Sequence, residues 1–287
     1  MMNTKFIEFA EGRIAYDDAA IVPAAIVPAG GGPLVVCAPG MGDLRGSYRY
    51  LAPQLAAAGY RVVTMDLRGH GESSVGWKDY SASGICHDMI ALIRHLNAGP
   101  AVIVGNSFAA GAAVWAAASA PELVRALVLL GPAVHGKVPG SMRLLIEVLF
   151  ARPWGPAAWQ WYYKNLFKTR KPADLDDFSN AVKQNLSQAG RMEGLKQMML
   201  TPTPDSETRL DQAHVPALVI MGSKDPDFKD PAGEAKWIAE QLNGACTMIE
   251  GAGHYPQTEM PEISGPIIVK FLNELDAQAG HGTANGS

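Results

Sequence analysis

The chain has 287 residues, 48% hydrophobic and 18% charged, with a formal net charge of −4. That balance suits a globular protein with a sizeable core, and the length admits one large α/β domain carrying an insertion. It excludes a strongly basic nucleic-acid binder, and three widely spaced cysteines (Cys37, Cys86, Cys246) exclude a disulfide framework or a zinc site.

The opening segment, Met1-Met2-Asn3-Thr4-Lys5-Phe6, carries no apolar signal-peptide core. No apolar stretch is long enough to span a bilayer, so a cytoplasmic protein without membrane insertion is expected. Residues 4–9 and 13–17 read as a starting antiparallel pair. Ala20-Ile21-Val22-Pro23-Ala24 is then repeated directly as Ala25-Ile26-Val27-Pro28-Ala29, followed by Gly30-Gly31-Gly32. Two prolines and three glycines argue for a lengthened surface loop rather than a central strand.

From there apolar strand runs alternate with amphipathic helical patterns. Strands are expected at 33–38, 60–66, 101–105, 125–131, 216–222 and 245–249. Helices fit 46–58, 83–97, 108–119, 232–242 and 262–276. Such alternation implies an α/β fold: a mostly parallel sheet of about eight strands with helices on both faces. Residues 135–210 break the rhythm. Leu144, Leu145 and Ile146 precede an aromatic run with Trp154, Trp159, Trp161, Tyr162, Tyr163 and Phe167, spaced for helices rather than strands. The chain thus divides into a core (1–134 and 211–278) and a helical insertion (135–210). The tail, 279–287, lacks apolar residues beyond alanine and is expected to be disordered.

Ser107 lies in Val104-Gly105-Asn106-Ser107-Phe108-Ala109, straight after the apolar run Ala101-Val102-Ile103-Val104 and before an alanine-rich helix. A strand, a sharp turn tipped by serine and a helix form a nucleophile elbow, which needs small residues two positions either side of the serine. Gly105 and Ala109 meet that need. Downstream, Ala217-Leu218-Val219-Ile220-Met221-Gly222 reads as a buried strand leading to Asp225. The strand Cys246-Thr247-Met248-Ile249 leads to Gly251-Ala252-Gly253-His254-Tyr255. The order Ser107, Asp225, His254 is that of α/β-hydrolases, and over residues 4–278 the chain resembles a member of that superfamily, specifically a serine-nucleophile esterase or lactonase with a helical cap.

The resemblance carries further implications. Pro39-Gly40-Met41-Gly42 stands where the superfamily has its oxyanion loop, with Pro39 in place of the usual histidine. The backbone N–H groups of Met41 and Phe108 would hold the developing oxyanion. Asp66-Leu67-Arg68-Gly69-His70-Gly71-Glu72-Ser73 resembles a loop that is mostly structural in the superfamily. The insertion 135–210 corresponds to the cap over the active site, and Trp154, Trp159, Tyr163 and Tyr255 are the candidate substrate-pocket residues.

Chemistry points the same way. A serine hydroxyl needs a nearby base to act as nucleophile. Among seven histidines, His254 is the best placed; His70 belongs to the structural loop, His87 and His95 to a helix, and His281 to the tail. His135 and His214 read as structural or surface residues. Asp225 is the favoured acid, Asp227 the second choice, and Glu259 either supports the histidine loop or faces solvent. Serine at the elbow excludes the alkyl-enzyme chemistry of superfamily members with aspartate there. Acyl transfer on a small ester or lactone with an apolar acyl or ring portion is expected, with no metal or organic cofactor. Two alternatives stay open: carbon–carbon bond hydrolysis of a ring-cleavage product, and a non-catalytic small-molecule receptor. The elbow resembles that of the carbon–carbon hydrolases but departs from it at Ala109-Ala110, and Tyr255 stands where they carry tryptophan. Perhydrolysis is a common side activity of the same three residues.

Overall fold

Strands β3 (Leu34–Ala38), β5 (Ala101–Asn106) and β7 (Ala217–Gly222) are buried along their whole length, and β6 (Val124–Leu130) at all but Arg125. They are the centre of an eight-stranded sheet of order β1-β2-β4-β3-β5-β6-β7-β8 in a computed structural model. β1 (Lys5–Phe9), β2 (Gly12–Asp18) and β4 (Arg61–Met65) pair antiparallel; the remaining pairings, out to β8 (Ala245–Ile249), are parallel. The structure describes residues 4–18, 32–135, 140–200 and 204–284. The repeated segment at 20–29 therefore lies outside the described residues.

The period-2 geometry of a strand decides which side chains meet which helices. Leu34, Val36 and Ala38 of β3, Ile103 of β5, Leu127 and Leu129 of β6 and Val219 of β7 face one core. That core is completed by α2 (Ala82–Leu96), α3 (Phe108–Ser119) and α9 (Pro231–Gln241). Val35, Cys37, Val102, Val104, Val128 and Ile220 face the other, under α1 (Leu51–Ala57) and α11 (Pro261–Ala284). Burial on both faces is why these strands read as continuous apolar runs.

Local chemistry sets the helix ends. Ser81 caps α2 by accepting from the Gly84 N–H at 3.1 Å, and Asp230 caps α9 through the Gly233 N–H at 3.0 Å. Helix α1 is shorter than the expected 46–58: a 3-10 turn spans Arg45–Tyr48, and the α-helix begins only at Leu51. Pro53 explains the break, since it offers no N–H to the Arg49 carbonyl and its ring crowds that group. At the other end, α11 runs on to Ala284. Residues 285–287 lie outside the described residues.

Between β6 and β7 come α4 (Gly140–Leu149), α5 (Gly155–Asn165), α6 (Leu175–Ser187), α7 (Arg191–Leu200) and the short α8 (Pro204–Glu207). The first four have a small core of their own, with Ile146, Phe150, Trp159, Val182, Leu186, Met192 and Leu195. After β8, α10 (Pro256–Glu259) leads into α11. No helix among the described residues is long and apolar enough to cross a membrane.

Candidate active site

Ser107 follows the last residue of β5 and precedes the first of α3, with φ 54° and ψ −119°. A non-glycine residue in that region is strained and must be held from outside. Its N–H donates to the Leu130 carbonyl at 2.9 Å, and its carbonyl accepts from Ala110 and Ala133 at 3.0 and 3.2 Å. A Cβ on Gly105 would lie 2.7 Å from the Ala109 carbonyl oxygen and 2.8 Å from the Ala110 Cα, so only glycine lets α3 start this close to β5. Asn106, buried beneath, donates through Nδ2 to the carbonyls of Leu130 and His254 at 2.9 and 3.3 Å. It ties the serine turn to the histidine loop, a role no motif signals.

Beside this turn lies the loop after β3. A Cβ on Gly40 would stand 3.1 Å from Ser107 Cβ, which places Gly40-Met41 directly against the serine. His70 pins that loop from behind: the Gly42 N–H donates to its Nε2 at 3.0 Å, while its Nδ1 contacts the Arg68 carbonyl at 3.0 Å. Burial lowers the His70 pKa to about 4, so the ring stays neutral and can accept. Arg68 is itself fixed by a buried bidentate pair with Asp88, at 2.8 and 2.7 Å. Asp43, just beyond the loop, is fully buried, and burial pushes its carboxyl up to about 7.

His254 and Asp225 meet where the loops after β8 and β7 converge. His254 Nδ1 and Asp225 Oδ2 are 2.7 Å apart, and both residues are 2% exposed. Burial pulls the His254 pKa down, but the carboxylates of Asp225 and Asp227 outweigh it and the net shift is upward. The His254 backbone is held by the Leu166 carbonyl at 3.0 Å. Glu259 supports the loop: its Oε2 accepts from the Gly253 N–H at 2.8 Å, and its Oε1 accepts from the N–H groups of Lys168, Thr169 and Arg170. One buried carboxylate thereby joins the histidine loop to the end of the α5–α6 connection.

Asp227 occupies the other side of the imidazole. Its Oδ2 is 3.6 Å from His254 Nε2, its Oδ1 accepts from the Tyr162 hydroxyl at 2.6 Å, and its N–H donates to Asp225 Oδ1 at 3.0 Å. Asp225, Asp227 and His254 each offer a potential ligand atom within 4.8 Å of the others. The 2.7 Å contact already engages the facing atoms of Asp225 and His254 with each other, which is the arrangement of an acid orienting a base.

Over these residues is a cavity of about 380 Å³. Ser107, His254, Asp227, Met41 and Tyr255 form its floor; Leu145, Ile146, Leu149 and Phe150 from α4 and its end, Trp159 and Tyr162 from α5, Leu166, and Met199 from α7 form its walls. Trp159 lies over the Gly40–Gly42 loop and donates through Nε1 to the Gly42 carbonyl at 2.8 Å. Among the four expected pocket residues, Trp159 and Tyr255 line the cavity, while Trp154 and Tyr163 do not. Trp154 is 53% exposed, with its Nε1 bonded to the Val148 carbonyl. Tyr163 is buried behind the wall, against Phe167 and Tyr255 at ring-centroid distances of 5.6 and 5.3 Å. Tyr162 and Tyr163 lie three and four residues after Trp159, on either side of it round α5, and the cavity meets the Tyr162 side. Spacing alone does not choose between the two rings. Nothing in the sequence marks Met199 or the α4 residues as facing the same space.

The chain belongs to the α/β hydrolase fold family, whose profile matches residues 33–261. It is 24% identical to the bifunctional epoxide hydrolase 2 of Rattus norvegicus, over 86% of this chain but only 52% of that protein, so it spans about half the length of that relative. It is 27% identical to the 2-hydroxy-6-oxononadienedioate/2-hydroxy-6-oxononatrienedioate hydrolase of Paraburkholderia xenovorans, over 94% of this chain and 95% of that one. The enol-lactonase structure from Burkholderia xenovorans LB400 superposes with a TM-score of 0.78 at 18% identity, covering 94% of this chain and all (100%) of the other, and so shares its fold.

Proposed function

We propose that the chain is a serine hydrolase that cleaves a carboxylic ester or lactone with an apolar acyl or ring portion, through an acyl-enzyme. The observation that carries this reading is the strained Ser107 at the head of α3, facing one cavity together with a histidine whose Nδ1 is 2.7 Å from a buried carboxylate. In this reading Ser107 Oγ attacks the carbonyl carbon while His254 Nε2 takes its proton. Asp225 accepts the Nδ1–H and stabilises the imidazolium. The N–H groups of Met41 and Phe108 hold the oxyanion, each worth about 2.7–4 kcal/mol in comparable sites. The imidazolium then gives its proton to the leaving alkoxide as the acyl C–O bond breaks. Water, deprotonated by His254, attacks the acyl-enzyme and restores the serine. Helices α4–α8 act as a cap, and their apolar wall receives the acyl or ring portion.

A second reading, carbon–carbon hydrolysis, is favoured by the near full-length match to the Paraburkholderia relative. That relative's named substrate is a dioate. Among the described residues, no lysine or arginine lines this cavity, so nothing there offsets the charge of two carboxylates.

Steady-state hydrolysis of p-nitrophenyl esters from acetate to decanoate, with Ser107→Ala alongside, tests the proposal. Turnover that disappears in the variant is expected, with a chain-length optimum set by the cavity. Equal turnover by the variant sinks the assignment of the nucleophile. Absence of turnover with every ester moves the reading to carbon–carbon hydrolysis or a receptor.

A further inference from the structure

Asp227 is unexplained by the acyl-transfer chemistry. The reaction needs one carboxylate, on the Nδ1 side of His254, and Asp225 supplies it at 2.7 Å. Asp227 stands on the opposite, Nε2 side, where the proton is delivered to the departing alcohol. Its position is set by two contacts, the Tyr162 hydroxyl on Oδ1 at 2.6 Å and its own N–H on Asp225 Oδ1 at 3.0 Å. Oδ2 remains directed toward Nε2 at 3.6 Å, beyond hydrogen-bond length, and the side chain keeps 29% of its surface. A carboxylate fixed on the cavity floor beside the leaving group acts on whatever the alcohol half carries.

The rest of the lining sharpens that selection. Trp159, Tyr162, Phe150 and Tyr255 bring four aromatic rings to the cavity, and among the described residues no lysine or arginine lines it. Aromatic rings and one carboxylate attract a weakly hydrated organic cation, which gains from the ring quadrupoles as well as from the charge. An anionic leaving group would meet Asp227 with no compensating cation.

We propose that the site takes esters whose alcohol half carries an alkylated ammonium group, held beside Asp227 Oδ2 and the rings of Trp159, Tyr162 and Tyr255. The acyl half then lies along the aliphatic wall of α4. Asp227 is thereby a specificity-determining residue. This inference rests on the reading of Ser107 as an ester-cleaving nucleophile, and its test separates the two.

The test compares two esters of the same acid and shape, trimethylammonioethyl butyrate and its uncharged isostere 3,3-dimethylbutyl butyrate. Both share Ser107, His254 and the acyl half, so the ratio of their kcat/KM values cancels any effect of Asp227 on the base. The unaltered chain is expected to favour the cationic ester by about tenfold or more, and Asp227→Asn to bring the ratio near one. A ratio at or below one in the unaltered chain, or the same preference in Asp227→Asn, overturns the inference while leaving the hydrolase reading standing. If neither ester is turned over, the p-nitrophenyl series decides the hydrolase reading, and calorimetric binding of phenyltrimethylammonium decides the inference. Affinity that falls about tenfold in Asp227→Asn supports it. No binding, or equal affinity, overturns it.

Discussion

The floor and the wall of the cavity are built on opposite principles. Ser107 and His254 on the floor, and Asp225 behind His254, come from loops at the ends of parallel strands, are 8%, 2% and 2% exposed, and have their backbones or side chains held by hydrogen bonds from neighbouring loops. The α4 wall offers aliphatic side chains with much weaker anchoring: Leu145 and Leu149 are 53% and 45% exposed, and their neighbours Leu144 and Val148 are 71% and 56% exposed. In the proposed reading, chemistry that tolerates little displacement rests on the sheet, while the surface that selects a substrate rests on a helix with a small core of its own. That reading makes the floor sensitive in rate and the wall sensitive in specificity.

The sharpest way to break the comparison is at the floor. Ser107→Ala and His254→Ala should each lower kcat on a p-nitrophenyl ester by on the order of 10⁴–10⁶-fold, and the double variant should be hardly worse, because such groups act as a unit. Additive losses in the double variant would show that the two do not cooperate. Asp225→Asn should cost on the order of 10⁴-fold, since the amide favours the wrong imidazole tautomer. A larger loss from Asp227→Asn would assign the acid to the wrong carboxylate.

Support beneath the floor comes next. Arg68→Ala leaves Asp88 buried without its bidentate partner and should lower unfolding stability by about 3–5 kcal/mol in urea titrations. A loss of under about 1 kcal/mol would show that the loop holding His70 does not depend on this pair.

The pH profile probes the place where floor and wall meet. In the proposed reading His254 must be neutral to accept the serine proton, and its pKa lies above the ordinary 6.5. Activity therefore rises with pH through that raised value. Asp227 is one of the carboxylates that raise it, so Asp227→Asn should move the acid limb of kcat/KM toward lower pH. An unmoved or upward-moving limb contradicts the charge contact across Nε2. The smallest stability effect is expected at the wall. Leu149→Ala removes a side chain that is already half in solvent and should change stability by less than about 1 kcal/mol. Its mark should be a raised KM for long-chain esters with kcat nearly unchanged.

The sequence by itself determined the sheet, the helices on both faces and the loops that carry Ser107, Asp225 and His254. It could do so because these are local signals: continuous apolar runs, helical spacing, and small residues such as Gly105 wherever two backbones approach. Chain order alone placed Asp225 and His254 after their strands. What only the tertiary structure decided are relations between segments far apart in the chain. Residue 162 rather than 163 faces the cavity, Trp154 turns away, α4 and Met199 close the wall, and His70 braces the Gly40–Gly42 loop. Asp227, two residues from Asp225, could be proposed as an alternative acid, but not as a second carboxylate on the far side of the imidazole. Its position depends on the meeting of α5 with the loop after β7, and packing between distant segments leaves no periodicity in either one.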